Sequence, residues 1–283
     1  MSSLVEIRGS DVLFALHDPA TALASLFRPV CRGRRPAGLK VHTEFDGFRL
    51  MFTCYEWLDT RDQSILLAAV GMAGIEHAVL HAEVPGEIGQ QLWLDLEPTK
   101  AAVQGKAVVV TTTLYALLEA AGLPTRGADY ERIKEILYRL SQVGCWVKKD
   151  GYDWSMKLLS FASNSDGTIH IALNERFAKA IASQHVRVSL DERRKLKGDA
   201  AQILHGWLTA VTRPGAKSIP MGLDALAVKV WGADTKNADT KRKRRERVGT
   251  ALKEIEALGW KIEHRGQGKR HQVRLTRPRL IEG

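Results

Sequence analysis

The sequence predicts an α+β fold of two tandem winged-helix domains behind an N-terminal extension. Three observations predict it. The order helix, turn, helix, hairpin occurs between Thr111 and Phe161. The same order recurs between Asp191 and Thr276, an internal duplication with a period of roughly 114 residues. The charge is localised: the 283 residues carry 42 Lys+Arg and 32 Asp+Glu, a net charge of +10, and the 44 residues from Lys236 to Arg279 hold 15 basic and 5 acidic residues, the whole excess. The remaining 27 basic and 27 acidic residues balance. The expected division is 1–58 as an arm or hairpin, 59–185 as a first winged-helix domain, and 186–283 as a second that is the main nucleic-acid binder.

In the extension, Arg32-Gly33-Arg34-Arg35-Pro36 precedes β-rich alternation from Leu39 to Tyr55 around a turn at Asp46-Gly47. The three arginines read either as an arm gripping a polyanion backbone or as a solvated loop. From Asp59 the pattern turns helical: Asp59 or Thr60 can cap a helix with Ile65, Leu66, Ala69, Val70 and Ala73 at helical spacing. A second helix, capped within Thr111 to Thr113, runs through Leu114, Leu117 and Leu118 to Gly122. A third carries Ile133, Ile136, Leu137, Leu140 and Val143 as a buried stripe and ends at Gly144. Strands Cys145 to Lys149 and Ser155 to Phe161 come next, joined by the turn Asp150 to Asp153.

In the second unit, a helix from Asp191 passes through Leu196, Ala200, Ile203, Leu204 and Trp207 and stops before Pro214-Gly215. A shorter helix, Met221 to Val230, starts beside Pro220 and is followed by Gly232. Thr240 can cap a helix with the stripe Val248, Leu252, Ile255 and Leu258, stopping at Gly259. Strands Trp260 to His264 and His271 to Thr276 flank the turn Arg265 to Gly268.

Several function classes are excluded by pattern. Cys31, Cys54 and Cys145 are odd in number and lack C-x-x-C spacing, so they read as reduced thiols in a cytoplasmic protein rather than a disulfide framework or zinc ribbon. The longest nearly apolar run, Ile65 to Ile75, is far short of the roughly 20 residues a membrane span needs, and Met1 to Asp11 has no export-signal pattern. A soluble, unexported chain is expected. No H-E-x-x-H, G-x-S-x-G or Walker A sequence occurs, and Gly266-Gln267-Gly268-Lys269 reads as a hairpin turn. None of Tyr55, Tyr115, Tyr130, Tyr138 or Tyr152 has the paired histidines a nicking nucleophile needs. No enzyme, cofactor or metal is expected. His170, between Ile169 and Ile171, reads as a satisfied strand histidine; Trp146, Trp207, Trp231 and Trp260, at element junctions, read as core anchors rather than base-stacking platforms.

The binding chemistry lies in the helix at Thr240. Lys241, Arg242, Lys243, Arg244, Arg245 and Arg247 crowd the helix end where the macrodipole is already positive. That arrangement suits phosphate, which offsets both the side chains and the free N–H groups of the first turn. In a helix-turn-helix this segment meets base edges in the major groove. The hairpin adds Arg265, Lys269, Arg270, His271 and Arg274, with Arg277 and Arg279 beyond, a wing fit for the backbone or minor groove. In the first unit Arg126, Tyr130, Arg132, Lys134, Lys148 and Lys149 form a weaker footprint; its helix, with Glu131 and Glu135, reads equally as a dimer face.

Gln184 to Glu192, the Lys241 to Val248 run ending in Ala257-Leu258-Gly259-Trp260, and His17-Asp18-Pro19-Ala20 with Leu26-Phe27-Arg28 resemble the RepC-type replication initiators of IncQ-like plasmids. The likeness covers nearly the whole chain. It implies a protein that binds directly repeated origin sequences (iterons) in double-stranded DNA, melts the adjacent AT-rich DNA, and recruits a plasmid-encoded hexameric helicase and a primase. It also implies that the second winged helix reads most of each iteron, so the reading role falls on Lys241 to Arg247, while the first adds contacts or mediates a homodimer. The likeness is weakest across Pro85 to Gln91 and after Arg277, and assigns no role there. A transcriptional repressor that binds an operator as a dimer is the alternative from another functional class.

Overall fold

The computed structural model describes residues 7–30, 35–266 and 271–279. A 3-10 turn, Gly9–Asp11, leads to β1 (Phe14–His17) and α1 (Pro19–Leu23), capped by the Asp18 carboxylate, which accepts the Thr21 N–H at 2.9 Å. β2 (Ala37–Phe45) and β3 (Phe48–Glu56) form the expected hairpin, turned by Asp46 and Gly47 at φ 51° and 73°. α2 (Thr60–Ile75) starts in a capping box: Asp59 accepts from Arg61 and Asp62, and Asp62 accepts from the Asp59 N–H. The expected stripe on α2 is an understatement. Residues 62–73 are buried on every side, so α2 is the central helix of the first part of the chain.

The chain continues through β4 (Ala78–Leu80), α3 (Glu87–Asp95), β5 (Thr99–Lys100), a 3-10 turn Ala101–Gln104, and β6 (Ala107–Thr113). α4 (Leu114–Ala121) is capped by Thr113 and closed by left-handed Gly122, as its sequence signals require. α5 (Gly127–Ser141) buries Ile133, Ile136, Leu137 and Leu140. β7 (Gly144–Lys149) and β8 (Tyr152–Lys157) pair across the two-residue turn Asp150-Gly151. The single second strand expected over 155–161 is broken at Leu158, and β9 (Leu159–Ser163) joins a different sheet with β10 (Thr168–Leu173). α6 (Glu175–Ala182) and β11 (Val186–Ser189) complete this part.

The described residues among 1–58 do not form a separate extension. β3 pairs with β7, making a five-stranded sheet of order β2-β3-β7-β8-β5. Val41, Leu50 and Phe52 belong to the same core as α2, because hairpin alternation turns one face inward. β1 pairs with β11, so the second boundary also moves: Val186, Val188 and Leu190 belong to the first core, and the second core begins at Leu196.

The single helix expected from Asp191 is two, α7 (Leu190–Lys195) and α8 (Asp199–Val211). Leu196 is extended, and the Glu254 carboxylate accepts the N–H groups of Lys197 and Gly198 at 2.8 and 3.1 Å, rewarding the break. β12 (Met221–Gly222) occupies the residues after Pro220, and the short helix is α9 (Leu223–Trp231). α10 (Ala238–Glu256) begins before Thr240. Its cap is Asn237, which accepts the Thr240 N–H at 2.8 Å. β13 (Lys261–Arg265) and β14 (Gln272–Thr276) close a three-stranded sheet of order β12-β14-β13.

Candidate nucleic-acid interface

α10 packs Val248, Ala251, Leu252 and Ile255 into the second core, against α8 and α9, and leaves its opposite face in water. Six cations lie on its first turns, and they divide. Arg245 donates Nε and Nη2 to the Asp224 carboxylate of α9, both at 2.6 Å. Arg244 donates to the Ala233 carbonyl at 2.8 Å, with its guanidinium 5.2 Å from the Trp231 ring centre. Lys241 lies 3.4 Å from Asp234 and 3.7 Å from Asp224. These three turn back toward α9.

Arg242, Lys243 and Arg247 face solvent. Arg242 bridges Asp239 and Glu246 at 2.8 and 2.6 Å, and Lys243 meets Asp239 at 2.7 Å, pairs that water and salt screen readily. The Arg245 guanidinium holds Asp224 below the usual carboxylate range, and Lys243 and Arg242 do the same for Asp239. The clash between cations and helix dipole expected from sequence is therefore partly relieved inside the protein, by Asp224, Asp234 and Asp239.

On the hairpin, Arg265 is exposed and lies 3.8 Å from Glu263. Arg274 stands opposite Glu263 and is half-buried, its Nε without a hydrogen-bond partner among the described residues. His271 shares a 2.8 Å hydrogen bond with His264. Lys269, Arg270 and the turn Gln267-Gly268 lie outside the described residues, as do Cys31, Arg32 and Arg34. Arg277, expected beyond the wing, is instead structural: 4% exposed, it donates to the carbonyls of Thr209, Thr212 and Arg187 at 3.1, 3.2 and 2.8 Å. Arg35 is equally engaged, paired with Asp59 at 2.5 Å and Asp62 at 3.2 Å, and is not a free arm residue.

In the first part of the chain, Arg126 is exposed at the N-cap of α5, and Tyr130 is half-buried against the core. Arg132 pairs with Asp129 at 3.1 Å, and Lys134 with Glu131 at 2.9 Å. Lys149 lies over the Phe48 ring and donates to the Asp46 carbonyl, fastening the hairpin turn, whereas Lys148 is exposed. One cleft of about 450 Å³ is lined by Arg61, Arg132 and Arg139 with Val30 and Asp199. A neighbouring one of about 430 Å³ is lined by Arg247, Thr250 and Glu254 with the same Val30 and Asp199. The α5 and α10 faces thus open on adjoining clefts.

Of the four tryptophans read as core anchors, Trp260 is buried, and Trp207 and Trp231 lie half-buried under Lys229 and Arg244. Trp146 departs from that reading, being 50% exposed. The signal was present in the sequence: between inward Cys145 and Val147, strand alternation turns Trp146 outward. His170 bonds Thr111 across β6 and β10 at 3.0 Å. Cys54 and Cys145 are buried, and burial pushes both thiols up to about 12. Among the described residues no group of three or more His, Cys, Asp or Glu is placed to hold a metal, and no helix is long and apolar enough to cross a membrane.

The family described as Replication protein C (RepC) matches residues 10–279. The chain belongs to the RepC replication protein family. No curated protein matches it. Among solved structures, selenomethionyl domains 2 and 3 of RctB match this RepC family member with a TM-score of 0.53 at 10% identity, over 91% of this chain and 97% of that one. A second structure of RctB domains 2-3 gives 0.45 at 9% identity, over 90% and 95%. The first likeness concerns the mixed α+β fold alone.

The residues on which the RepC resemblance rests are largely structural in this member. Asp18 caps α1 and is bridged by Arg176 at 2.6 Å. The Arg28 guanidinium lies 4.8 Å from the Trp57 ring centre and packs on Gly232 at the end of α9, joining the N-terminal segment to the second core. Ser189 caps α7, Glu192 bonds His205 at 2.6 Å, and the adjacent Arg193, 3% exposed, donates to Thr60, Ser64 and Gln202 between the two cores.

Proposed function

We propose that this RepC family member is a plasmid replication initiator that binds iterons in duplex DNA through two winged-helix units. The observation that carries the reading is the second unit. Its α9 and α10 form a helix-turn-helix, a β12-β14-β13 sheet completes it, and Arg242, Lys243 and Arg247 stand exposed on the solvent face of α10. In this reading α10 lies in the major groove, with the β13–β14 hairpin along the adjacent backbone. The first unit repeats the scheme: α4 and α5 precede β7 and β8, and β5 edges β8 as β12 edges β14. Its exposed cations, Arg126 and Lys148, suit a weaker DNA contact or a homodimer face.

Opening of AT-rich DNA then comes from differential binding: several copies strain the duplex, and the opened form is the better ligand. Recruitment of the plasmid's helicase and primase, a cytoplasmic location and the absence of any enzymatic step or cofactor complete the proposal. Permanganate footprinting on a supercoiled origin tests it. Protected repeats with reactive thymines beside them support an initiator. Protected repeats with no reactive thymines would indicate an operator-binding repressor instead.

A further inference from the structure

The five-stranded sheet has one face in the core and one in water, and the outer face is unusual. Register places His42, Met51, Trp146 and Ser155 in one row across the strands, flanked by the rows Glu44, Arg49, Lys148, Asp153 and Lys40, Thr53, Gly144, Lys157. Trp146 stands in the middle of this polar surface, half exposed, while its strand neighbours Cys145 and Val147 are 1% and 2% exposed. The missing side chain of Gly144 lets its neighbours close in: the Thr53 hydroxyl lies 2.7 Å and the indole Nε1 3.7 Å from where a Cβ on Gly144 would be. A depression of about 270 Å³ adjoins the ring, lined by His42, Met51, Lys100 and Lys148 among others.

The charge of this face is positive. Lys100 pairs with Asp153, and Lys157 with Glu97 at 2.8 Å. Lys40, Arg49 and Lys148 form no salt bridge among the described residues, and Glu44 alone opposes them. Lys148 lies about 7 Å from Trp146 along its strand, and Arg49 is on the adjacent strand opposite Lys148. An aromatic face surrounded by cations on a sheet is the arrangement that stacks unpaired bases and tracks their phosphates. A duplex offers no base face to such a surface, since its bases are stacked on one another. A second copy of this chain would bring two positive faces together.

We propose that this face binds single-stranded DNA, with Trp146 stacking on a base and Lys148, Arg49 and Lys40 meeting phosphates. The site is separate from α10, and its test separates from that of duplex binding. The full-length chain is titrated against fluorescein-labelled oligo(dT) and against a duplex carrying one origin repeat, by anisotropy. Trp146→Ala weakens oligo(dT) binding by about 5- to 160-fold, and Trp146→Phe retains most of it. Lys148→Ala with Arg49→Ala flattens the salt dependence by about 0.7 for each phosphate no longer neutralised. Both Trp146 variants leave duplex affinity and the melting midpoint in place, and the Lys148→Ala, Arg49→Ala variant leaves the melting midpoint in place, as expected for exposed side chains. Wild-type oligo(dT) affinity in Trp146→Ala overturns the proposal, as does equal loss on oligo(dT) and duplex. A dimer that Trp146→Ala dissociates with no change in oligo(dT) affinity also overturns it and makes the face an interface between copies.

Discussion

On the proposed reading, the α10 cations available to DNA are those the protein does not already hold. Arg245 is clamped by Asp224 and Arg244 is seated on Trp231, whereas Lys243 and Arg247 are exposed and Lys243 has only the screened Asp239 beside it. Each phosphate contact steepens the salt dependence of binding by about 0.9 in log–log slope, so between 50 and 200 mM salt it accounts for about a 3.5-fold loss of affinity. Lys243→Ala and Arg247→Ala should each remove about that slope and leave the melting midpoint alone. Arg245→Ala should do the reverse. The Asp224–Arg245 pair has side chains 36% and 28% exposed, so screening limits it to about 0.2–1 kcal/mol, a shift of about 1–3 °C, with the salt slope nearly unchanged. Asp224→Asn completes the set: it frees Arg245 and removes a repelling charge, raising duplex affinity about threefold if the lost charge lay about 7 Å from a phosphate in water. The assay is anisotropy on a single-repeat duplex at four salt concentrations beside a thermal melt. Wild-type slopes for Lys243→Ala and Arg247→Ala, together with a reduced slope for Arg245→Ala, would refute the reasoning.

Other consequences concern the joints of the molecule. Gly232 has φ +74°, and an added Cβ would lie 2.2 Å from the Arg28 Cζ, so Gly232→Ala should cost about 2 kcal/mol in equilibrium denaturation and weaken duplex binding by shifting α10 against α9; a variant as stable as wild type would mean that Arg28 moves aside freely. Arg193→Met strands the Thr60 and Gln202 carbonyls between the two cores and should cost about 3 kcal/mol in urea denaturation, with duplex affinity of the folded protein retained. His17 is buried with both ring nitrogens unpartnered among the described residues, and burial pushes it down to about 4, with Asp18 opposing and Arg193 assisting. Between pH 6.5 and 4 the unfolded chain therefore binds the extra proton, and acidification should remove about 3 kcal/mol of stability through this residue. His17→Leu should flatten that part of the pH–stability curve; an unchanged curve would place the sensitivity elsewhere.

The local elements were legible because their signals are local. Asp59, Thr113 and Gly122 mark helix ends through hydrogen bonds within a few residues, and the Ile133 to Leu140 stripe needs only helical periodicity. The expectations that failed depend on distant partners. The break between α7 and α8 is held by Glu254, more than fifty residues away. The β2–β3 hairpin reads as a free extension until β7 pairs with it. Arg277 looks like one more cation of a basic tail until three carbonyls from β11, α8 and the residue after α8 converge on it.

The sequence by itself determined the duplicated helix, turn, helix, hairpin plan and the location of the excess charge on one unit, because composition and periodicity survive without coordinates. The tertiary structure decided which charges remain free. A cation's availability depends on whether folding brings an acid, a carbonyl or an aromatic ring to it. Asp224 and Trp231 did so for Arg245 and Arg244, whereas Arg247 stayed in solvent. It also decided the surroundings of Trp146. Strand alternation alone turns the indole outward on the same face as Lys148, but only sheet register adds Arg49 from the neighbouring strand.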